Sequence, residues 1–459
     1  MATSLLPSYC SILPRSLTKF LYLVLSSYIP SSPEPSPPQT PVYDQVADEL
    51  HDYLDSHGQS WWRTSGHLLA ALLQDAGYSS SSKHHILTFF GRTIVPYMGV
   101  TYNPQSPQWR SFMTDDHHPI ELSWDWHTGH KPPTVRFSIE PVGIHAGTPS
   151  DKDNAQADTS FRKALLSALP DTNMEWFHYL DHELAPASSP AGLMEGHPSK
   201  IFYAFDLAAE SVTAKAYFFP GFKARETNRT NLQVISDVIA KAPHRSNGQF
   251  DALRVFENFA EDVDTPPLEM DMVAIDMDPP QASRLKIYFR NRATSFASVR
   301  QMMTLGGRVK RSELEAGIEK LRRLWDAMLG QEGVPDAEPL SAAGKGKATN
   351  DDHRTAGLLY NVEFRSGSPE PKVKIYIPVR HYAPSDGHVI TAVHEYMRSV
   401  EENNEKGLGF GYATTMRRLF RPDAVQQRGL HTYIACSIQG NEELRVVSYI
   451  NCQGEKMVQ

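Results

Sequence analysis

The chain has 459 residues, 40% of them hydrophobic and 21% charged, with a formal net charge of −8. Such a composition provides an ample core and excludes a disordered chain or one whose main partner is nucleic acid, so any basic patch is a local concentration. Cys10, Cys436 and Cys452 form neither a disulfide framework nor a metal-ligand spacing, and they point to a reducing, cytoplasmic setting.

Residues 1–42 read as a tail. Lys19 precedes an apolar run from Phe20 to Leu25, closed by Pro30. The run is too short for a stable membrane span, which takes ~20 apolar residues. A signal peptide is the alternative, and Pro7 and Pro14 in the long stretch before the run count against it. Residues 27–41 form a Ser/Pro linker. From residue 43 to 459 one globular domain is expected.

Helices are expected over Gln45–Leu54 and Gly66–Ala76, the second stopped by Gly77. Strand-like alternation then marks Ile120–Trp126, Thr134–Glu140, Ile201–Leu207, Thr213–Phe219, Arg284–Arg290, Val373–Val379, Leu430–Ile438 and Leu444–Ile450. Helical periodicity falls between pairs of these, at Ser160–Leu169, Asn231–Ala242, Ser312–Leu329 and Val389–Asn404. The recurring order helix, strand, strand, helix predicts an α+β fold, an antiparallel barrel of repeated units with helices outside. Residues 336–352 are poor in apolar side chains and read as a loop insertion.

Three strands carry a lysine and a tyrosine two residues apart, hence on one face: Lys215 and Tyr217, Lys286 and Tyr288, Lys374 and Tyr376. Arg284 and Arg290 extend the second face, and Lys372 and Arg380 the third, while Leu285, Ile287 and Phe289 make the reverse face apolar. One such pair is more often a surface strand. Three with added arginines read as an anion-binding interior, where cations and phenol hydroxyls donate to a diphosphate. No Gly-rich phosphate loop and no aspartate-rich magnesium motif accompanies them. Asp115, Asp116, His117 and His118 suit a turn before Pro119 better than a metal site. Tyr217, Phe219, Tyr288, Tyr376, Tyr433 and Tyr449 share the proposed interior, either as barrel core or as faces that stabilise a carbocation. Glu121 sits in an otherwise apolar strand with Ser123 and Asp125 on its parity. It is either paired to an interior arginine such as Arg136 or reserved for a substrate N–H or O–H.

The segments TDDHHPIELSWDW, VRFSIEP, KAYFFPGFKA, RLKIYFRN with TSF and TLGGR, KVKIYIPVRHY, GLHTYIACSI and ELRVVSYIN resemble, in order, the fungal aromatic prenyltransferases of the dimethylallyltryptophan synthase type. The resemblance covers roughly residues 43–455. It implies ten antiparallel strands ringed by helices, the ABBA barrel of repeated αββα units. It also implies metal-independent Friedel–Crafts transfer of a dimethylallyl or geranyl group from its diphosphate to an aromatic secondary metabolite. No cofactor is then required. Under this resemblance Arg136, Lys215, Arg284, Lys286, Tyr288, Tyr376 and Tyr449 bind the diphosphate and shield the cation. Tyr217 and Tyr433 look like further shield members, and Lys374 stands where some relatives have glutamine. Glu121 is similar to the family glutamate that accepts a hydrogen bond from the acceptor, and Met113 and Phe219 are expected at the acceptor pocket.

Two departures bear on the acceptor. Phe202 stands where relatives that prenylate tryptophan at C4 carry a base lysine, and MDMVAIDMDPPQAS before Arg284 offers no arginine for an amino-acid carboxylate. Phenolic polyketide and modified indole acceptors both stay open, as do monomer and homodimer. The alternative from a different class is a non-catalytic barrel that binds phosphorylated or aromatic ligands. A third, diphosphate hydrolysis, lacks an evident water-activating base.

Overall fold

Ten strands close into one antiparallel ring, each bonded to its two neighbours: β1 Ile120–Trp126, β2 Thr134–Ile139, β3 Ile201–Leu207, β4 Val212–Phe218, β5 Leu268–Asp276, β6 Leu285–Asn291, β7 Leu358–Phe364, β8 Lys372–Ile377, β9 His431–Ile438 and β10 Leu444–Asn451. The pairing of β1 with β10 closes the ring and leaves no open edge. The computed structural model describes residues 41–126, 132–187, 197–341, 355–401, 411–452 and 454–458. All of them fall in one compact unit. The expected tail and linker up to residue 40, and residues 342–352 of the expected insertion, lie outside the described residues.

The period of two divides every strand between two environments. Outward side chains such as Trp124, Phe137, Phe205, Ile287, Phe289, Tyr360 and Ile375 are fully buried under the surrounding helices. Each contributes roughly 1.5–3 kcal/mol of burial energy. The helices are built to meet them: Leu314–Leu329 buries Ile318, Leu321, Trp325 and Met328, spaced three and four apart along one stripe. Helices Asn231–Lys241 and Asn247–Ala260 each start with a capping box, Thr230 with Gln233 and Ser246 with Gln249. Inside the ring a separate, smaller cluster forms, with Ala274, Tyr288, Leu359, Tyr376, Ala435 and Val447 buried and Tyr217, Met272, Tyr433 and Tyr449 packed against them.

Eight of the strands lie where alternation places them, and β5 and β7 are additional. The expected helix over Gln45–Leu54 instead runs Pro41–Leu50, because Asp55 caps the next helix, Ser56–Trp61, by accepting the Gly58 N–H at 2.8 Å. Gly77 follows the helix His67–Asp75 with φ +78°, a left-handed conformation that glycine adopts without strain. The helix expected over Val389–Asn404 is described over Asp386–Glu401, and residues 402–404 of that expectation lie outside the described residues. Arg380 departs from the expected strand face: β8 stops before Pro378, and Arg380 lies on the short helix Val379–Tyr382, where it meets Asp115 at 3.2 Å. No helix among the described residues is long and apolar enough to cross a membrane.

Gly317 shows how closely the outer helices seat on the barrel, since a Cβ there would lie 2.4 Å from Ile438 Cγ2 on β9. Gly317→Val is expected to cost about 1–3 kcal/mol through overpacking, measured as a fall in Tm. An unchanged Tm would show that this helix does not press on β9.

Candidate active site

Register places the inward side chains in tiers. Tyr217 faces Phe202 and Ala274 across its strand neighbours, Tyr288 faces Met272 and Asn361, Tyr376 faces Leu359 and Ala435, and Tyr449 faces Ser123. The four tyrosines meet in the lumen. Ring centroids stand 5.7 Å apart for Tyr217 and Tyr288, 5.8 Å for Tyr288 and Tyr376, and 5.7 Å for Tyr376 and Tyr449. Asn361 Nδ2 donates to the Tyr376 hydroxyl at 2.9 Å and fixes the middle of the layer. Burial raises the pKa of Tyr217, Tyr376 and Tyr449 above the ordinary phenol value, so these hydroxyls stay protonated.

This layer separates two chambers, and its four tyrosines line both. The lower chamber, about 1240 Å³, is also lined by Arg136, Lys215, Arg284, Lys286, Lys374, Arg365, Lys372 and Arg445. Carboxylates from neighbouring strands hold these cations apart. Arg136 binds Asp125 and, at 2.9 Å, Asp206, while Lys215 also binds Asp206. Arg284 meets Asp276 at 3.0 Å and Glu363 at 3.3 Å, Lys286 meets Asp276 at 3.1 Å, and Arg445 meets Asp125 at 2.9 Å. Burial alone would raise Asp206 and Asp276, but Arg136 and Lys215 around the first, and Lys286, Lys215 and Arg284 around the second, hold both well below the usual carboxylate range. Burial lowers Lys215 to about 8 against the pull of Asp206. Lys374 makes no ion pair among the described residues. Its Nζ lies over the rings of Tyr376 and Tyr449, at 4.9 and 5.8 Å, and burial pushes its pKa well down. Basic side chains outnumber the carboxylates, so the chamber carries an unmatched positive field.

The upper chamber, about 1010 Å³, is different in kind. Met113, Phe112, Phe202, Phe219, Met272 and Leu359 make much of it apolar, and Glu121, Thr432, Tyr433 and Arg290 supply polar points. Glu121 is buried and accepts from the Thr432 hydroxyl. Burial pushes its pKa up to about 8, opposed by that hydrogen bond and assisted by Asp115 and Asp116. The alternative pairing of Glu121 with Arg136 is not what the fold makes, because Arg136 turns into the lower chamber toward Asp125 and Asp206. Phe202 stacks on Tyr217 at 4.2 Å between centroids.

The residues expected to bind donor or acceptor therefore face the lumen, Arg380 of the extended third face does not, and the fold sorts them. Arg136, Lys215, Arg284, Lys286 and Lys374 line the lower chamber, Glu121, Met113, Phe219 and Tyr433 the upper, and Tyr217, Tyr288, Tyr376 and Tyr449 both. Arg445, Asn361 and Thr432 were not expected. Arg445 could have been found from its parity with Tyr449, whereas the Thr432 contact joins β9 to β1 across a register shift in β10 between Ser448 and Ile450. Asp115 to His118 form a turn, with the His117 N–H donating to the Thr114 carbonyl at 2.9 Å and φ +71° at His117. Among the described residues no group of three or more His, Cys, Asp or Glu could hold a metal ion.

Known proteins resemble this chain in sequence and fold. The sequence model of the tryptophan dimethylallyltransferase family matches residues 57–407. A 4-O-dimethylallyl-L-tyrosine synthase from Claviceps purpurea is 34% identical over 389 residues, covering 83% of this chain and 85% of that protein. Xanthone prenyltransferase A from Emericella nidulans is 29% identical, covering 90% of this chain and 96% of that protein. The crystal structure of AnaPT from Neosartorya fischeri aligns with a TM-score of 0.76 at 22% identity, covering 91% of this chain and 99% of that one, a likeness of fold. With a barrel of that architecture and a family match spanning most of its length, the chain belongs to the tryptophan dimethylallyltransferase family, the fungal aromatic prenyltransferases.

Proposed function

We propose that residues 43–459 act as a single catalytic domain that transfers a dimethylallyl group from its diphosphate to a phenolic ring, with no metal ion and no cofactor. The observation that carries this reading is the tyrosine layer between a cationic chamber and an apolar one that holds a buried carboxylate. The diphosphate sits among Arg136, Lys215, Arg284, Lys286, Lys374 and Arg445, whose preorganised charge stabilises it as the allylic C–O bond breaks. The allylic cation forms against the faces of Tyr217, Tyr288, Tyr376 and Tyr449, each contact worth up to ~2 kcal/mol in a dry site. The acceptor ring lies above, its hydroxyl hydrogen-bonded to Glu121, with Met113 and Phe219 against the ring. The hydroxyl oxygen attacks the allylic carbon, the allylic C–O bond to diphosphate breaks, and Glu121 takes the hydroxyl proton while the cations below hold the departing diphosphate, so atoms and charge balance without a Lewis acid.

A phenol is favoured over an indole by the 34% identical relative, whose acceptor is tyrosine. Phe202 supports the same choice, since it leaves no lysine beside Tyr217 to remove a ring proton. A geranyl donor is the longer alternative. Cys436 and Cys452 are buried free thiols, which supports a reducing, cytoplasmic setting. A barrel that only bound phosphorylated ligands would need the lower chamber alone and gives no account of Glu121.

EDTA-treated protein is expected to add one prenyl unit to a phenolic acceptor by mass spectrometry, at a rate that added magnesium does not restore or raise. Loss of activity on EDTA treatment would refute the metal-free chemistry. Glu121→Gln is expected to lower kcat at least ~100-fold with the affinity for dimethylallyl diphosphate unchanged. Because Glu121 must be ionised to accept the proton, kcat/KM for the acceptor should rise with pH up to about 8 in the wild type. The residual activity of Glu121→Gln should be flat over that range, and a flat wild-type profile would remove Glu121 from the proton path.

The same shift predicts a stability effect of opposite sign to the activity effect. A carboxyl whose pKa is raised on folding contributes stability below its unfolded pKa, and that contribution is lost as pH rises through the folded value. For Glu121 the loss runs from about 4.5 to about 8. Glutamine can keep the Thr432 hydrogen bond without ionising. Glu121→Gln should therefore match the wild type in Tm near pH 5 and exceed it by several degrees above pH 8, a gain on the order of a few kcal/mol. A Tm difference that does not change with pH would refute the raised pKa.

A further inference from the structure

We propose that the buried chain of Asp386, His431, Tyr412 and Ser448, on the outer side of the barrel wall, is a positioning clamp that holds Thr432 against Glu121 by bracing a bulge between β9 and β10; this rests on the reading of Glu121 given above. The bulge shows in the register. Ser448 pairs with Ile434 and Ile450 with His431, so between those pairs β10 supplies one residue, Tyr449, and β9 supplies two, Thr432 and Tyr433. Successive residues of a regular strand point to opposite faces. Here the extra residue turns both Thr432 and Tyr433 into the upper chamber, which Tyr449 also lines. The contact of the Thr432 hydroxyl with Glu121 depends on that turn.

Polar side chains bracket the bulge from outside. Other outward positions of β9 and β10 are apolar and fully buried, as at Ile434, Cys436, Val446 and Ile450. His431 and Ser448 break this pattern, and they stand at the two ends of the bulge. Tyr412, on the helix Gly411–Leu419, joins them: its hydroxyl lies 2.6 Å from His431 Nε2 and 2.9 Å from Ser448 Oγ. On the other side of the imidazole, His431 Nδ1 donates to Asp386 Oδ1 at 2.6 Å. Asp386 opens the helix Asp386–Glu401 and also accepts from the backbone N–H groups of Leu430 and His431, both at 2.9 Å. Its carboxyl group therefore fixes the chain entering β9 just before the bulge, and Tyr412 ties that point across to β10.

All four residues are at most 2% exposed, and the Tyr412 ring packs against Trp124 and Trp126 with centroids 6.0 and 5.9 Å away. Apolar side chains would fill this space as well as they fill the rest of the outer face. What a buried network adds is direction, since each of its hydrogen bonds must be made at a set geometry or left unsatisfied at a cost. No step of prenyl transfer touches these four side chains, and two of them are chain neighbours of residues in the lumen: His431 of Thr432, and Ser448 of Tyr449.

Glu121 supplies the readout. Thr432 favours its ionised form, whereas burial and the nearby Asp115 and Asp116 oppose it. The other titratable groups acting with it are Tyr433, Tyr449 and Cys452, which burial keeps neutral. A clamp that lets Thr432 drift must therefore move the titration of Glu121 upward, an effect that a general loss of stability would not produce.

The test uses Thr432→Val, Tyr412→Phe, Ser448→Ala and the double variant Thr432→Val with Tyr412→Phe. Each is assayed with dimethylallyl diphosphate and the phenol that gives product in the mass-spectrometric assay, and donor affinity is measured alongside. Thr432→Val is expected to move the acid limb of kcat/KM up by about one pH unit. Tyr412→Phe and Ser448→Ala should each move it up by roughly half a unit, with donor affinity unchanged. The double variant should match Thr432→Val alone, because the clamp acts through Thr432. A second readout needs no turnover: the pH at which the Tm gain of Glu121→Gln levels off, measured in each background, should shift by the same amounts. If no phenol reacts, the proposed function fails while this second readout still decides the clamp. Limbs that stay in place in Tyr412→Phe and Ser448→Ala, shifts that add in the double variant, or no titration of Glu121 in either readout would overturn the proposal and leave the four residues as part of the outer core.

Discussion

Placing many lysines and arginines inside a closed sheet is the constraint on which the rest of the molecule depends. A lysine or arginine taken out of water without a partner costs several kcal/mol, so each must be paired or must wait for a ligand. The barrel solves this through register. Antiparallel pairing puts Asp206 one strand from both Arg136 and Lys215, and Asp276 directly across from Lys215 and beside Arg284 and Lys286. Carboxylates spaced between cations hold them splayed instead of letting them drift toward one acid. Under the proposed function, a diphosphate entering that arrangement would find donors already aimed and would compensate the positive excess that the four carboxylates leave. Lys374, resting on ring faces, is the position at which the lattice is most incomplete.

Under the proposed function, the tyrosine layer would turn this charge into chemistry. A carbocation in contact with water would be captured at once, and one in contact with carboxylates would be alkylated by them. The rings of Tyr217, Tyr288, Tyr376 and Tyr449 lie between the ionic lattice and the upper chamber, so under the proposed function the cation would meet π faces on its way to the acceptor. Burial keeps the phenols of Tyr217 and Tyr376 protonated, which leaves their hydroxyls able to donate and makes them poor nucleophiles. The Asn361 side chain donates a hydrogen bond to the Tyr376 hydroxyl within the layer.

Much of this was legible in the residues, because period-two alternation exposes parity directly. Lys215 with Tyr217, Lys286 with Tyr288 and Lys374 with Tyr376 announced a polar face backed by an apolar one, and both faces are where that pattern puts them. What alternation could not reveal is height along the barrel axis. Arg290 shares the face of Lys286 yet serves the other chamber, because two inward positions up a strand cross the tyrosine layer. Strand β5 was hidden for a related reason: its inward positions carry Met272, Ala274 and Asp276, and a bulge between Met270 and Met272 interrupts the alternation that would have marked it. Strand β7, LLYNVEF, has a single charge and reads as a short apolar run that periodicity alone cannot assign. The Thr432 contact with Glu121 depends on which strands become neighbours when the ring closes, and no local pattern contains that.

Glu121 shows why the two chambers must be separate. The same carboxyl chemistry behaves oppositely on the two sides of the layer: Asp206 and Asp276 are held ionised by cations, and Glu121 is pushed toward its protonated form by burial and by the acids near it. Had Arg136 pointed upward to Glu121, the acid would be ionised and stable but too weakly basic to draw a proton from a phenol. Its affinity for that proton comes from the absence of a cation partner, and its position is kept by the neutral Thr432 hydroxyl. An uncompensated acid of this kind lowers stability wherever it ionises, so it persists only where something else needs it. The acceptor hydroxyl is the group that would need it, arriving with its own proton and leaving it behind as the cation from below is quenched.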